Sequence, residues 1–194
     1  LCSRPFVPES TTMDGLCGRC QDELIALCAP VSLLHEECEI PVHAATIYDG
    51  PIVPLLETVK RRGHRRPLRF IARSLLPTVL HRTQGPLYPV PASRRGRRER
   101  GFDQMRLIAH HSDRRYHAVF TRHRGLQQKQ LNRELRQRNA QETLGFDARN
   151  TGSLPPGVIL DDVLTTGATV TRAISLLREA GAMPRAVVVI AAAL

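Results

Sequence analysis

The chain of 194 residues has 42% hydrophobic residues and a formal net charge of +10. This length and hydrophobic content suffice for one packed domain with a small appendage, which excludes a chain that is disordered throughout. Nearly all basic residues are arginines, since Lys60 and Lys129 are the only lysines. The positive charge points to an anionic partner such as phosphate or nucleic acid, and the alternative is an arginine-rich surface that contacts only solvent.

The sequence carries no recognisable targeting segment. No stretch approaches the roughly 18 apolar residues of a membrane span. The N-terminus lacks the basic, then apolar, then small-residue pattern of a signal peptide. We therefore expect a cytoplasmic protein. Because the chain begins with Leu1 directly before a cysteine, we also expect that its true beginning lies upstream.

All five cysteines lie within the first 38 residues. Cys17 and Cys20 form a C-x-x-C pair, a spacing that lets two thiolates bind one tetrahedral ion. Cys2 looks like the second member of an earlier pair, so Cys2, Cys17 and Cys20 are the predicted zinc ligands. Candidates for a fourth ligand are Cys38, His35 and His43. Residues 1–43 are therefore predicted to form a zinc-ribbon-like module with no convincing strand, or a metal-free remnant of one.

From residue 44 onward, short strand-like runs alternate with helical runs, which indicates an α/β domain over 44–194 with a parallel sheet. Its first elements are a strand at 44–50 and a short helix at 51–63 that begins with prolines and ends at a glycine. A helical run at 65–81 should bend or break at Pro77. A short strand closed by proline follows at 87–91.

The charged segment 92–104 is broken by glycine, so we predict an exposed loop that leads to a helix at about 102–112. A strand at 116–123 and a surface helix or partly ordered arm at 127–141 come next. The two most apolar runs, at 157–162 and 185–194, are predicted to be strands at the centre of a sheet that is covered on both faces.

The apolar run at 158–160 is followed by Asp161 and Asp162 and by a threonine-rich loop. Open α/β sheets bind ligands at this edge of their strands. Residues 165–169 lead into a helix predicted at about 168–180, whose N-terminus favours an anion. The two acids can accept hydrogen bonds from a sugar diol or hold Mg²⁺ through water. The pattern describes a ribose 5-phosphate site; in the alternative, Thr165 and Thr166 only cap the helix and the aspartates are solvated.

Two common nucleotide-binding loops are missing, because the chain contains neither G-x-x-x-x-G-K-[ST] nor G-x-G-x-x-G after a strand. This excludes a P-loop NTPase and a Rossmann dehydrogenase. Instead, the run ILDDVLTTGAT at 159–169 resembles the phosphoribosyl diphosphate (PRPP) signature of type I phosphoribosyltransferases.

Three further segments narrow the resemblance to the ComF family (ComFC/GntX-like). The run RERGFDQ at 98–104 is similar to that family's R-x-R-G-F-N-Q segment, with Asp103 in the place of Asn. The stretch at 48–63 resembles its Tyr-x-Gly, then Lys-x-x-Gly segment. Its Q-x-x-L-x-x-x-x-R-x-x-N run is matched by Gln128, Leu131, Arg136 and Asn139. A cysteine ribbon before such a domain also belongs to the family.

The resemblance implies the type I phosphoribosyltransferase fold and a role for each matching residue. Asp161 and Asp162 would bind the ribose hydroxyls and Mg²⁺. Lys60 would lie on the pyrophosphate side, although a solvated surface lysine is the alternative, and Arg100 would stand on a mobile loop that closes over the diphosphate. These four would be the catalytic residues. The PRPP-binding residues would be Asp161, Asp162, Val163, Leu164, Thr165, Thr166, Gly167, Ala168 and Thr169.

The resemblance further implies a PRPP-dependent transferase of unknown acceptor that acts in DNA uptake during natural transformation, with Mg²⁺ and a structural Zn²⁺. The alternative function is a non-catalytic PRPP sensor or an adaptor for single-stranded DNA and a competence helicase. Clustered arginines at 94–98 favour DNA backbone binding. Aromatic residues make up only 4% of the chain and none interleaves with that cluster, so base stacking has little support.

Overall fold

The computed structural model describes residues 16–35, 39–122, 143–147, 149 and 152–193. Within these residues lie a five-stranded sheet of order β1-β2-β7-β6-β3 and a two-stranded sheet of β4 and β5. Strands β2, β7, β6 and β3 are parallel, and β1 pairs antiparallel with β2. The strands are β1 Val31–His35, β2 Ile40–Ile47, β3 Leu87–Pro89, β4 Phe120–Arg122, β5 Leu144–Phe146, β6 Gly157–Leu164 and β7 Pro184–Ala192.

Helices cover both faces of the larger sheet, which gives an α/β fold compatible with that of type I phosphoribosyltransferases. One π-helical turn, Ile71–Leu75, joins two short helices. No helix of the described residues is long and apolar enough to cross a membrane. The helices are α1 Gly18–Leu27, α2 Ile52–Arg62, α3 Arg66–Phe70, α4 Pro77–Leu80, α5 Arg94–Arg100, α6 Gln104–His111 and α7 Ala168–Glu179.

The two most apolar runs form β6 and β7 next to each other inside the sheet, as predicted. Successive residues of a strand face opposite sides. Val158 and Leu160 therefore pack with the residues of α2, α3, α4 and α6, whereas Ile159 packs with those of α7, β4 and β5. Burial on both faces explains why these strands are apolar without alternation.

Several predicted elements have the expected bounds within a few residues. Helix α2 ends at Gly63, which adopts the left-handed conformation with φ 66°. The helical run that follows is interrupted as expected, since α4 begins at Pro77. Helix α6 and strand β3 lie where the sequence indicates, while the strand expected at 116–123 is shorter, from Phe120 to Arg122. The predicted helix at 127–141 lies outside the described residues.

The prediction of an exposed loop at 92–104 is wrong, because residues 94–100 form α5. The Ser93 hydroxyl caps this helix by accepting a hydrogen bond from the Gly96 N–H (3.1 Å). Arg95 Nε lies 2.6 Å from Glu99 Oε1 one turn later. Gly96 is buried, and the Arg100 guanidinium folds back against it. The Ser93 cap and the packing of the Arg100 side chain on Gly96 thus stabilise the helix against the repulsion among its arginines and the low helix propensity of glycine.

The N-terminal segment contains more strand than expected. Strand β1 adds an edge to the larger sheet, and β2 begins at Ile40, so β2 crosses the boundary expected between residues 43 and 44. Leu24 of α1 is fully buried in the same cluster as α2 and α3. The described part of this segment therefore packs against the main core.

Candidate functional site

A polar cavity of ≈ 270 Å³ lies at the C-terminal end of β6. Its walls come from α2, α5, α6, α7, β4 and β6 and from the segment that follows β3. Four predicted site residues with charged side chains lie together there, joined by two polar residues for which the sequence had predicted no role. Its charged and amide side chains are Lys60, Arg100, Gln104, Arg122, Asp161 and Asp162.

Asp161 and Asp162 lie within β6 and therefore face opposite sides of the sheet. On the side of α2 and α6, Asp162 Oδ2 lies 2.8 Å from Lys60 Nζ and accepts a hydrogen bond from Gln104 Nε2 (2.6 Å). Lys60 is thus not a solvated surface lysine, since its ammonium group is held at the predicted acidic pair. The last turn of α2 and the first residue of α6 thus both contact the Asp162 carboxylate.

Asp161 is buried, and its burial together with the negative charge of Asp162 raises the pKa of its carboxyl group from 3.8 to about 7. The Asp162 N–H, which donates to Asp161 Oδ1 (2.9 Å), and the positive charges of Arg122 and Lys60 oppose this rise. The neighbouring cations therefore do not fully neutralise the negative charge of the Asp161 and Asp162 carboxylates. Carboxylate oxygens are ligands that Mg²⁺ prefers, so these two residues fit a divalent cation.

Gln104 and Arg122 carry parts of the site for which the sequence predicted no role. Gln104 Oε1 is buried, and no described residue donates a hydrogen bond to it. Arg122 donates from Nε to the Pro91 carbonyl (3.2 Å) and from Nη1 to the Thr143 hydroxyl (3.0 Å). Burial lowers the pKa of the Arg122 guanidinium. The negative charges of the nearby aspartates, of which Asp161 has the largest effect, oppose this lowering. The sequence signal that could have indicated a role for Gln104 is its position in the ComF-like segment at 98–104. For Arg122 the sequence offered no signal beyond the predicted strand.

Arg100 lines the cavity from the last residue of α5, which corrects its expected placement on a loop. Its Nη1 donates to the Lys60 carbonyl (3.2 Å), and its Nε is buried without a hydrogen-bond partner. A Cβ atom at Gly96 would lie only 2.7 Å from its Nη2. The glycine therefore makes room for the guanidinium, which packs beside the end of α2.

Asp103, the departure from the family pattern, does not line the cavity. It is the N-cap of α6: its carboxylate accepts from the Arg106 N–H (3.3 Å) and also from the Ala92 N–H (3.2 Å). Its carboxylate is therefore engaged by two backbone donors, and it joins the first turn of α6 to the segment that follows β3.

The predicted phosphate loop follows β6 and begins α7. Gly167 is the N-cap of α7 with φ 73°, and no side chain caps that helix, so Thr165 and Thr166 are not its caps. Thr169 and Val163 line the cavity, whereas Leu164 and Ala168 are buried in the fold. The loop thus borders the acidic pair.

One unexpected residue supports this loop from outside the cavity. His35, the last residue of β1, lies against Gly167, where a Cβ atom would come within 2.8 Å of its Nε2. The same nitrogen is 3.3 Å from the Thr171 hydroxyl. This places one proposed zinc ligand beside the loop instead.

No group of three or more His, Cys, Asp or Glu side chains among the described residues is arranged to hold a metal ion. Cys17 is the N-cap of α1 and Cys20 is buried in its first turn. His43 bonds to the Ser32 hydroxyl (2.8 Å). Cys2 and Cys38 lie outside the described residues, so zinc binding stays a prediction.

The cavity combines two carboxylates, one amide and three cations, a set that suits a ligand with both hydroxyl groups and anionic oxygens. Comparison of the chain with protein-family models and with curated proteins found no match. The chemistry of the cavity and the sequence motifs are therefore what bears on function.

Proposed function

We propose that the chain is a PRPP-binding phosphoribosyltransferase of the ComF type that acts in the cytoplasm in DNA uptake during natural transformation. One observation carries the proposal. Two adjacent carboxylates at the end of β6 are held by Lys60 and Gln104 directly before a loop that begins a helix. This is the order of groups that a ribose 5-phosphate with a diphosphate at C1 requires.

The ligand would bind in three parts. The backbone N–H groups of 165–169 and the N-terminus of α7 would bind the 5-phosphate. Asp161 and Asp162 would accept hydrogen bonds from the ribose hydroxyls, and a hydroxyl would also donate to the unpaired Gln104 Oε1. Lys60 and Arg100, which contact each other, would face the diphosphate.

In the reaction, a nitrogen of the acceptor forms a bond to C1 of the ribose while the bond from C1 to the diphosphate oxygen breaks. The electron pair of the broken bond leaves on the diphosphate, whose growing charge Lys60 and Arg100 stabilise. Mg²⁺, when bound, supplies further positive charge to that leaving group. Zinc bound by Cys2, Cys17 and Cys20 would stabilise the N-terminal segment.

Calorimetric titration of PRPP into the protein, with and without Mg²⁺, tests this proposal. We expect saturable binding that requires the metal, followed by release of pyrophosphate once an acceptor is supplied. Absence of binding at millimolar PRPP would contradict the proposal.

The second candidate is an adaptor for single-stranded DNA and a competence helicase, and one observation favours its DNA-binding part. The exposed arginines of α5 lie next to those that end α2 and begin α3. Arg65 Nη2 lies 3.4 Å from the Gly101 carbonyl, and its guanidinium lies 4.8 Å from the centre of the Phe102 ring. Two arginine runs that are distant in sequence thus form one basic surface, which suits a polyanion.

A further inference from the structure

Three cations line the cavity, and they enter it from two sides. Lys60 and Arg100 are joined by a hydrogen bond, and Lys60 pairs with Asp162 on the face of α2 and α6. Arg122 belongs to β4, which packs on the opposite face of the sheet, the side to which Asp161 points. The cations therefore form a pair on one side and a single arginine on the other.

Helix α5 shows the separation of the two sides. Its first residue, Arg94, donates from Nε to the Arg122 carbonyl (2.9 Å), and its last residue, Arg100, donates to the Lys60 carbonyl (3.2 Å). The ends of a seven-residue helix lie about 9 Å apart at 1.5 Å per residue. Arg122 is thus anchored at the opposite end of α5 from the Lys60–Arg100 pair.

The position of the Arg122 side chain is fixed by neutral acceptors. Its Nε and Nη1 bond to a carbonyl and a hydroxyl, and its Nη2 makes no hydrogen bond to any residue that the structure describes. Nor does any described carboxylate form an ion pair with it. A half-buried guanidinium that lines a cavity and keeps an unused donor is a receptor for an anionic oxygen.

We propose that Arg122 binds a carboxylate of the acceptor, so that the acceptor is a nitrogen heterocycle with a carboxylate group. This inference rests on the proposed function, because the diphosphate is assigned to the adjacent Lys60 and Arg100. The ribose held at the two aspartates then has its acceptor on the Arg122 side. A planar guanidinium matches a carboxylate in geometry as well as in charge. The carboxylate only orients the ring: the ring nitrogen supplies the electron pair for the new bond, and any proton on that nitrogen passes to solvent.

Two pairs of probes test the inference on the wild-type protein, because the members of each pair share a ring and differ in the acidic group. The probes are orotate against uracil and nicotinate against nicotinamide, titrated calorimetrically into the protein saturated with Mg²⁺ and PRPP. Loss of a charge-assisted hydrogen bond corresponds to roughly tenfold to a hundredfold in affinity. We expect at least one carboxylate to bind at least about tenfold more tightly than its neutral partner. Equal binding within both pairs, or no binding by any probe, would overturn the inference.

Variants then assign the preference to one residue. Arg122→Gln should remove the preference for the carboxylate and weaken PRPP binding less than Arg100→Gln does, whereas Arg122→Lys should retain part of the preference. Arg98→Gln, an exposed arginine of α5, is the control with the same loss of charge. If Arg122→Gln weakened PRPP binding as strongly as Arg100→Gln, Arg122 would belong to the diphosphate and the inference would be wrong. If the wild-type protein bound no PRPP, the proposed function itself would fail.

Discussion

Both sides of helix α5 are rich in cations, but they hold their charge differently. In the cavity, Lys60 and Arg122 have fixed partners, such as the 2.8 Å contact with Asp162. On the outer face, which we call the arginine surface and define as Arg94, Arg95, Arg97 and Arg98, the side chains are exposed to solvent. The Arg95–Glu99 pair there has side chains that are 76% and 56% exposed, so solvent screens it and it contributes little to stability.

The difference separates two kinds of recognition. Fixed charges in a cavity can select a ligand by geometry, because their directions are set before binding. Exposed arginines bind any polyanion, and salt screens them. We therefore propose that PRPP would bind in the cavity and any nucleic acid on the arginine surface, as two separable activities.

Among the changes that test this difference, removal of the two acids should have the largest effect on PRPP affinity. Asp161→Asn together with Asp162→Asn removes the charges for Mg²⁺ and the strong acceptors for the ribose, so PRPP affinity should fall by at least about a thousandfold, or about 4 kcal/mol. Calorimetry checks this, and Glu57→Gln, an exposed acid of α2, is the control. DNA affinity should be unchanged or raised. A collapse of DNA binding in the double variant would show that the two sites are not separate.

The acidic pair also predicts how stability depends on pH. The pKa of Asp161 is about 7 in the folded protein against the ordinary 3.8 of an aspartate in an unfolded chain, so the folded state binds more protons between these values. Its contribution to stability is present below pH 3.8 and is lost as pH rises towards 7. The Asp161→Asn variant does not lose stability in this way, because Asn does not ionise. Its free energy of unfolding should therefore exceed that of the wild type by a few kcal/mol near pH 7. Urea denaturation of both proteins from pH 4 to 8 without Mg²⁺ checks this. Parallel curves would contradict it.

A change in the loop should have the next largest effect. Gly167→Ala combines φ 73° with a Cβ atom 2.8 Å from His35 Nε2, so we expect a loss of about 2–3 kcal/mol in stability and weaker PRPP binding. Gly181→Ala is a matched control, because Gly181 has φ 76° but no atom within 4 Å of its Cβ position. It should cost about 1–2 kcal/mol and leave PRPP binding unchanged. Equal effects of the two changes would mean that His35 does not support the loop.

The arginine surface should give the smallest effect, confined to nucleic acid. Replacement of its four arginines by Ser should weaken single-stranded DNA binding by about tenfold and lower the slope of log affinity against log salt by up to about 3. Fluorescence anisotropy over a salt series measures both, and PRPP affinity should stay the same. A control with the same loss of net charge replaces Arg73, Arg149, Arg178 and Arg185. If the slope did not change, this surface would have no part in DNA binding.

The central strands, α2 and the loop with its helix could be predicted from the sequence because their signals are local. Apolar runs mark β6 and β7, and a glycine marks the end of α2. The carboxylates of Asp161 and Asp162 were predictable for the same reason, since they come directly after such a run.

The rest depends on contacts between distant segments. Gln104 is 58 residues from Asp162, to which it bonds, and no sequence pattern links the two. Arg122 is held at the cavity by bonds to the Pro91 carbonyl and the Thr143 hydroxyl, which are 31 and 21 residues away in sequence. Helix α5 was not predicted because its Gly96 is covered by the Arg100 side chain. That side chain is itself held by a hydrogen bond to the Lys60 carbonyl at the end of α2. Local charge suggested a loop, and tertiary packing outweighed it.

A crystal structure of the protein with Mg²⁺ and PRPP tests the central claim most directly. We predict ribose hydroxyls within hydrogen-bond distance of Asp161 and Asp162, the 5-phosphate on the N–H groups of 165–169, and the diphosphate beside Lys60 and Arg100. PRPP bound on the arginine surface, or a cavity that remains empty at saturating ligand, would contradict the account.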